Sequence, residues 1–316
     1  MKTDIDLVYL WVDGNDLQWQ LKRNAFCGNS EENSEINCKG RYANNDELKY
    51  SLRSAEKYAP WIRKIFIVTD NQIPEWLDIT NPKIKIIDHK EIMPEICLPC
   101  FNSNIIEYFL YKIPDLSENF LYANDDMFFN ANVEPDFFFT KNMLPVVRLK
   151  RLSFGKLHFW SNYWVKFLMG KKPGQYRTIV KNASDLVKQK EGKYISGIPY
   201  HNIDSYNKSD YREAIEVVFR EQVENSLTHH IRNYGDLQRV AILYYILAIG
   251  RGQLLYANKQ DSIRISVFKN DFKKILIHNQ SKLFCLNDSQ RVKDDDRKKI
   301  KPFLEELFPE KTKYEK

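Results

Sequence analysis

Four short apolar runs, each ending on aspartate, constrain this chain more than any other feature. Residues 5–12 (IDLVYLWV) stop at Asp13-Gly14, residues 64–69 (KIFIVT) at Asp70, residues 84–87 at Asp88-His89, and residues 120–123 at Asn124-Asp125-Asp126. Near-continuous apolar runs of this length read as strands buried on both faces. Leu48, Leu52 and Ala55 recur at helical spacing and predict a helix capped by Asn44 or Asn45, running to about Tyr58 and closed by Pro60. A second helix is predicted over 103–112. Strands alternating with helices over short connections specify an α/β fold with a mostly parallel sheet, and such sheets bind ligands beyond the carboxyl ends of their strands. One aspartate after a strand is ordinary turn chemistry; four at the same edge of one sheet mark a site.

Composition sets the limits of the remainder. The chain has 316 residues, 43% apolar and 28% charged, so a core can form without disulfides or a structural metal and bury roughly 75% of the unfolded surface. The reading divides it into an α/β core over 1–150, with a surface loop over 24–42, and a part over 151–316 that holds a basic aromatic segment and then turns mainly helical. In this division residues 282–289 return to the α/β core. The longest apolar run, VAILYYILAIG at 240–250, is well short of the ~20 residues that span a bilayer. The start, MKTDIDLVYLWVDG, lacks the basic region and cleavage site of a secretory signal, so the expectation is a chain that begins at Met1 in the cytoplasm. Five scattered cysteines read as reduced thiols, the Cys97-Leu98-Pro99-Cys100 pair included.

The net charge of +6 is unevenly spread: residues 137–184 contain ten Lys and Arg and no Asp or Glu. Phe154, His158, Phe159, Trp160 and Tyr163 are interleaved with those cations, an arrangement that suits an anionic partner. Single-stranded nucleic acid, an anionic membrane surface and a phosphorylated sugar or polymer all answer to it, as does a plain solvated basic face.

Hard carboxylate and amide oxygens at the edge of a dry sheet suit Mg²⁺ or Mn²⁺ holding a diphosphate. Asn124-Asp125-Asp126 offers such a set, and Asn287-Asp288, directly after the apolar run LFCL, offers a second from far along the chain. Among six histidines, His201 stands in an irregular polar stretch between Gly197-Ile198-Pro199-Tyr200 and Asn202-Ile203-Asp204, where an imidazole near its reference pKa of ~6.5 suits a general base. Arg232, before Asn233-Tyr234-Gly235, suits a phosphate clamp.

Four separated stretches resemble the Stealth family of sugar-1-phosphate transferases. These are IDLVYLWVDGND; the run from Arg41-Tyr42 through NDELKYSLRSAEKYAPWIRKIFIVTD to LPCFNSNIIE and FLYANDDMFF; SGIPYHNIDSYNKSDYREA with IRNYGD; and KLFCLNDS. The resemblance implies a nucleotide-sugar-binding core similar to GT-A or Rossmann-like folds. It implies transfer of sugar 1-phosphate from a UDP-sugar to a hydroxyl of a glycan or lipid-linked glycan, with release of UMP, in capsular or cell-surface polysaccharide synthesis. It further implies donor or substrate contacts at Asp13, Gly14, Arg53, Asp70, Asn102, Ser103 and Asn124, and a metal at Asp125, Asp126, Asn287 and Asp288. His201 then corresponds to the base and Arg232 to the phosphate clamp, with Asp126 serving catalysis through the metal. Asn104 departs from the His common in bacterial members and receives no proton chemistry.

On this reading the basic segment holds an anionic or lipid-linked acceptor, nucleic acid is not a partner, and the membrane is met peripherally if at all. Two other readings stay open: a metal-dependent glycosyltransferase of GT-A type that releases UDP, and a non-catalytic binder of polyanions or carbohydrate.

Overall fold

The computed structural model describes residues 4–27, 39–152, 164, 168–169, 175–233 and 235–316. Residues 153–163, 165–167 and 170–174 of the basic segment lie outside the described residues, as do 28–38 of the expected surface loop.

The main sheet carries strands in the order β3-β2-β1-β4-β8. Strands β1 (Ile5–Leu10), β2 (Ile65–Thr69), β3 (Ile84–Asp88) and β4 (Asn119–Asn124) run parallel, in the register Leu7↔Ile65, Thr69↔Asp88 and Tyr9↔Ala123. Strand β8 (Asp204–Asn207) closes one edge antiparallel to β4. Successive residues of a strand point to opposite faces, and the core divides accordingly. Val8, Phe66, Val68, Phe120 and Tyr122 face the layer formed by helices Gln175–Glu191 and Val240–Ala248. Leu7, Tyr9, Ile65, Ile67, Leu121 and Ala123 face Leu48, Leu52 and Ala55 of helix α2 (Glu47–Tyr58). Asp6 is fully buried at the far end of the sheet, yet its carboxylate accepts from Arg63 and from the Lys64 and Ser117 amides. A buried charge so paired locks the strand starts together.

Two further sheets complete the α/β class. In one, β5 (Met127–Phe129) pairs antiparallel with β11 (Leu283–Asn287), which pairs in turn with β10 (Ser262–Ser266). The other orders β7 (Ile198–Pro199), β6 (Val146–Lys150) and β9 (Gln253–Tyr256). The part after Ser184 thus adds strands to the helices expected of it.

The 24–42 stretch is also more structured at its start than a surface loop. Helix α1 (Leu17–Cys27) follows the first turn, with the Asp16 carboxylate accepting from the Gln18 and Trp19 amides as its cap. Leu17, Leu21 and Phe26 point outward while Trp19 and Arg23 are buried, so the apolar periodicity that announces a helix is absent. Helix α2 starts after Asp46, at φ 66°, and not from an asparagine cap. The helix predicted over 103–112 is split into α4 (Ser103–Glu107), after the short α3 (His89–Ile92), and a 3-10 turn at Leu110–Lys112.

Candidate active site

The carboxyl ends of β1, β2 and β4 open into one cleft of about 1120 Å³, its open mouth included. Asp70, Ser103, Asn124, Asp125, Asp126 and His201 line it, with Arg232, Asn287 and Asp288 facing them. Strand pairing explains how residues so far apart in sequence meet. Cys285 lies opposite Met127, and the Leu286 amide donates to the Asp126 carbonyl at 2.9 Å. That register carries Asn287 and Asp288 alongside the Asp125-Asp126 turn.

The floor of the cleft is acidic. Burial, then the charges of Asp126 and Glu47, raise the Asp125 carboxyl well above its ordinary range. Burial pushes Asp126 up to about 6 against the pull of Cys285 and Arg41, and Glu47 up to about 7. Crowded carboxylates whose charge is costly when empty are what a cation relieves. The Asp126 Oδ1 atom is buried with no hydrogen-bond partner among the described residues, so a hard donor is present and unused. Asp125, Asp126 and Asn287 therefore fit a divalent cation. Asp288 fits less simply: its carboxylate accepts from Arg297 at 2.7 and 3.1 Å and from the Ser289 amide, so it reaches the cleft already neutralised.

His201 differs from the base expected near its reference pKa. Enclosure by the cleft wall, then Arg239, Arg264 and Arg41, push its pKa down to about 3. The imidazole is held neutral, as a base must be, and its proton affinity is low. Arg232 donates from Nη2 to Ser103 Oγ at 2.9 Å, which sets the clamp over the start of α4.

Asn102 acts behind this wall. Fully buried, it donates to Asp236 Oδ2 at 2.7 Å and to the His229 and Ile231 carbonyls at 3.0 and 3.1 Å, while its own oxygen caps α4. His229 Nδ1 pairs with Asp236 at 2.6 Å. Asn102 thus positions the loop that carries Arg232, and it is not among the residues that line the cleft.

Three other expected contacts also fall elsewhere. Arg53 is tied to Glu315 and to the Phe308 and Pro309 carbonyls on the outer side of α2. Asp13 uses its side chain to accept from the Asn15 amide and its backbone to meet Gln72. A Cβ on Gly14 would stand 2.0 Å from the Tyr42 carbonyl, so this glycine admits the 39–42 strap and is needed for packing. Asp70 lines the cleft but is ion-paired with Lys22.

Sequence reasoning missed Glu47, Gly40, Arg41 and Cys285. A Cβ on Gly40 would come within 2.5 Å of Asp288 Oδ1, so the strap closes directly over that carboxylate. The Cys285 thiol donates to Asp126 Oδ2 at 3.3 Å. The alternation of β11 was the available signal for Cys285, since it places that residue on the face that meets Asp126's turn.

The chain matches the family models for Stealth protein CR1, conserved region 1, over residues 3–31 and Stealth protein CR2, conserved region 2, over 41–147. It is 32% identical to capsular polysaccharide phosphotransferase SacB of Neisseria meningitidis serogroup A, over 99% of this chain and 57% of that protein. It is 32% identical to capsular polysaccharide phosphotransferase cps12A of Actinobacillus pleuropneumoniae, over 91% of this chain and 77% of that protein. The chain thus spans little more than half the length of SacB. A crystal structure of the galactosyltransferase LgtC with donor and acceptor sugar analogs aligns over 97% of this chain and 96% of its own, at 12% identity and a TM-score of 0.47, a likeness that carries no argument. His201, Arg232, Asn287 and Asp288 lie beyond the two family-model matches, so their place in the site rests on geometry.

Proposed function

The chain belongs to the Stealth family, and from that premise we propose that it transfers sugar 1-phosphate from a UDP-sugar to a hydroxyl of a glycan acceptor, in capsular or exopolysaccharide synthesis. One observation carries the reading. The acids of β4's turn, the Asn287-Asp288 pair brought to them by the β5–β11 register, His201 and Arg232 line a single cleft. We place the reaction in the cytoplasm; among the described residues no helix is long and apolar enough to cross a membrane.

In the proposed reaction the acceptor oxygen forms a bond to the phosphorus bearing the sugar, and the bond from that phosphorus to the oxygen shared with the uridylyl phosphate breaks. UMP leaves with that oxygen, the bond between sugar carbon and oxygen is untouched, and the anomeric configuration is kept. Mg²⁺ or Mn²⁺, held by Asp125, Asp126 and Asn287, would supply charge neutralisation to the diphosphate and the departing UMP. His201 takes the acceptor hydroxyl's proton. Arg232 meets the charge that develops on the transferring phosphoryl oxygens, held there by Ser103 and the loop that Asn102 anchors. Neutral His201 suits this order of events: the diphosphate must bind first, offset the surrounding arginines and raise the imidazole's proton affinity.

Product identity tests the proposal. Purified protein with a panel of UDP-sugars, Mg²⁺ and a glycan acceptor is expected to release UMP and form a phosphodiester. Release of UDP would identify an ordinary glycosyltransferase instead. Binding without turnover, unchanged by EDTA, would identify a carbohydrate- or polyanion-binding protein.

A further inference from the structure

Asp126, His201 and Cys285 each present one ligand atom to a common point, and these three atoms lie within 4.8 Å of one another. They arrive from three elements: the turn after β4, the stretch beyond β7, and β11. The set combines a carboxylate oxygen, an imidazole nitrogen and a sulfur. Mg²⁺ has little use for the last of these, whereas Zn²⁺ takes all three in tetrahedral sites and accepts three protein ligands with one position left open. Phosphoryl transfer gives the Cys285 thiol no task, yet β11's pairing holds it fully buried and 3.3 Å from Asp126 Oδ2. The other oxygen of that carboxylate is the one without a hydrogen-bond partner.

We propose that Asp126, His201 and Cys285 form a Zn²⁺ site that overlaps the catalytic centre and shuts it off when occupied. Zinc ligands about 2.0–2.3 Å from the metal stand about 3.5 Å apart in a tetrahedron, so the three atoms need to draw together by only about an ångström. Cys285 gives up its proton to solvent as the sulfur–zinc bond forms. The His201 lone pair is then donated to zinc and cannot accept the acceptor's proton, and Asp126 is withdrawn from the magnesium-held diphosphate. Zinc binding stands on the geometry alone, while the inhibition rests on the function proposed above.

Cobalt separates the two. Metal-free full-length protein is titrated with Co²⁺, whose bond to a thiolate gives a charge-transfer band in the near ultraviolet, and Zn²⁺ is then added to displace it. The band is expected in wild type and in a Cys97→Ser/Cys100→Ser double variant, which controls for the buried pair whose Cys100 also borders the cleft. Cys285→Ser is expected to lose the band, and His201→Ala to weaken cobalt binding at least about tenfold, the least that even outer-shell partners of a metal contribute. Cys285→Ala is the second variant should serine disturb the fold. No band in wild type, or a band that survives both Cys285 variants, overturns the site. In turnover assays, Zn²⁺ at concentrations far below Mg²⁺ should inhibit wild type, and Cys285→Ser should lose that sensitivity relative to its own Mg²⁺-supported rate. Retained sensitivity overturns the inhibitory role. A cobalt band in a protein that turns over no UDP-sugar would leave the metal site standing and remove the proposed function.

Discussion

Asp126→Asn is expected to lower turnover at least about a hundredfold while raising the thermal stability of the metal-free protein. The two effects share one cause. Asp126 sits half-buried in the cleft with Asp125 and Glu47; desolvation raises all three carboxyls, the charge of Asp126 raises Asp125 and Glu47 further, and that of Asp288 raises Asp126. Without a cation this crowding opposes the folded state; with one, it is what binds the diphosphate. Removing one charge eases the repulsion and keeps the shape of the side chain, so the melting temperature should rise, and added Mg²⁺ should stabilise the variant less than wild type. A site strained for function behaves this way. A drop in both stability and turnover would show that Asp126 holds the fold together and that its loss of activity is indirect. Near-normal turnover would remove Asp126 from the mechanism.

The second large effect is expected at His201. Replacing a general base costs about 10²–10⁴ in rate, and His201→Ala should fall in that range, with partial recovery when imidazole is added to fill the space. The recovery distinguishes proton transfer from a packing role, which free imidazole would not restore. Enclosure first, then the charges of Arg239, Arg264 and Arg41, hold the ring's pKa down to about 3. A folded-state pKa below the unfolded value means that protonating His201 opposes folding, so this group lowers stability as pH falls through the ordinary histidine range and is neutral above it. At neutral pH the free protein therefore carries His201 unprotonated, and the bound diphosphate is what raises its proton affinity for the transfer. A loss of less than tenfold in His201→Ala, or none recovered by imidazole, would assign the proton to another group.

The strands that deliver the aspartates were legible because each is a short run buried on both faces, and its period needs no knowledge of its partners. Asp125, Asp126, Asn287 and Asp288 were legible for the same reason: polar pairs placed directly after apolar runs. What escaped the sequence depends on pairing across long separations. Glu47 reads as a first-turn helix residue, and only the packing of α2 against the site makes it a buried acid that feels the charge of Asp126. Met127–Phe129 and Asp204–Asn207 are too short or too polar to announce strands, though the first sets the register that brings Asn287 and Asp288 to the acidic turn. His201's low proton affinity comes first from its enclosure and then from arginines far away in the chain, at positions 239, 264 and 41. Arg53 and Asn102 are the reverse case. Both carry groups suited to a ligand, and both spend them on the protein itself, one on Glu315 and the other on the loop of Arg232.

A diphosphate held by a metal in the acidic cleft is the centre of the proposed reaction, and crystals grown with a UDP-sugar and Mn²⁺ examine it directly. The anomalous signal of manganese is expected within bonding distance of Asp126 and of the diphosphate, with the sugar-bearing phosphate between His201 and Arg232. A nucleotide bound elsewhere, or a cleft that keeps its carboxylates free of metal while the donor is present, would contradict it.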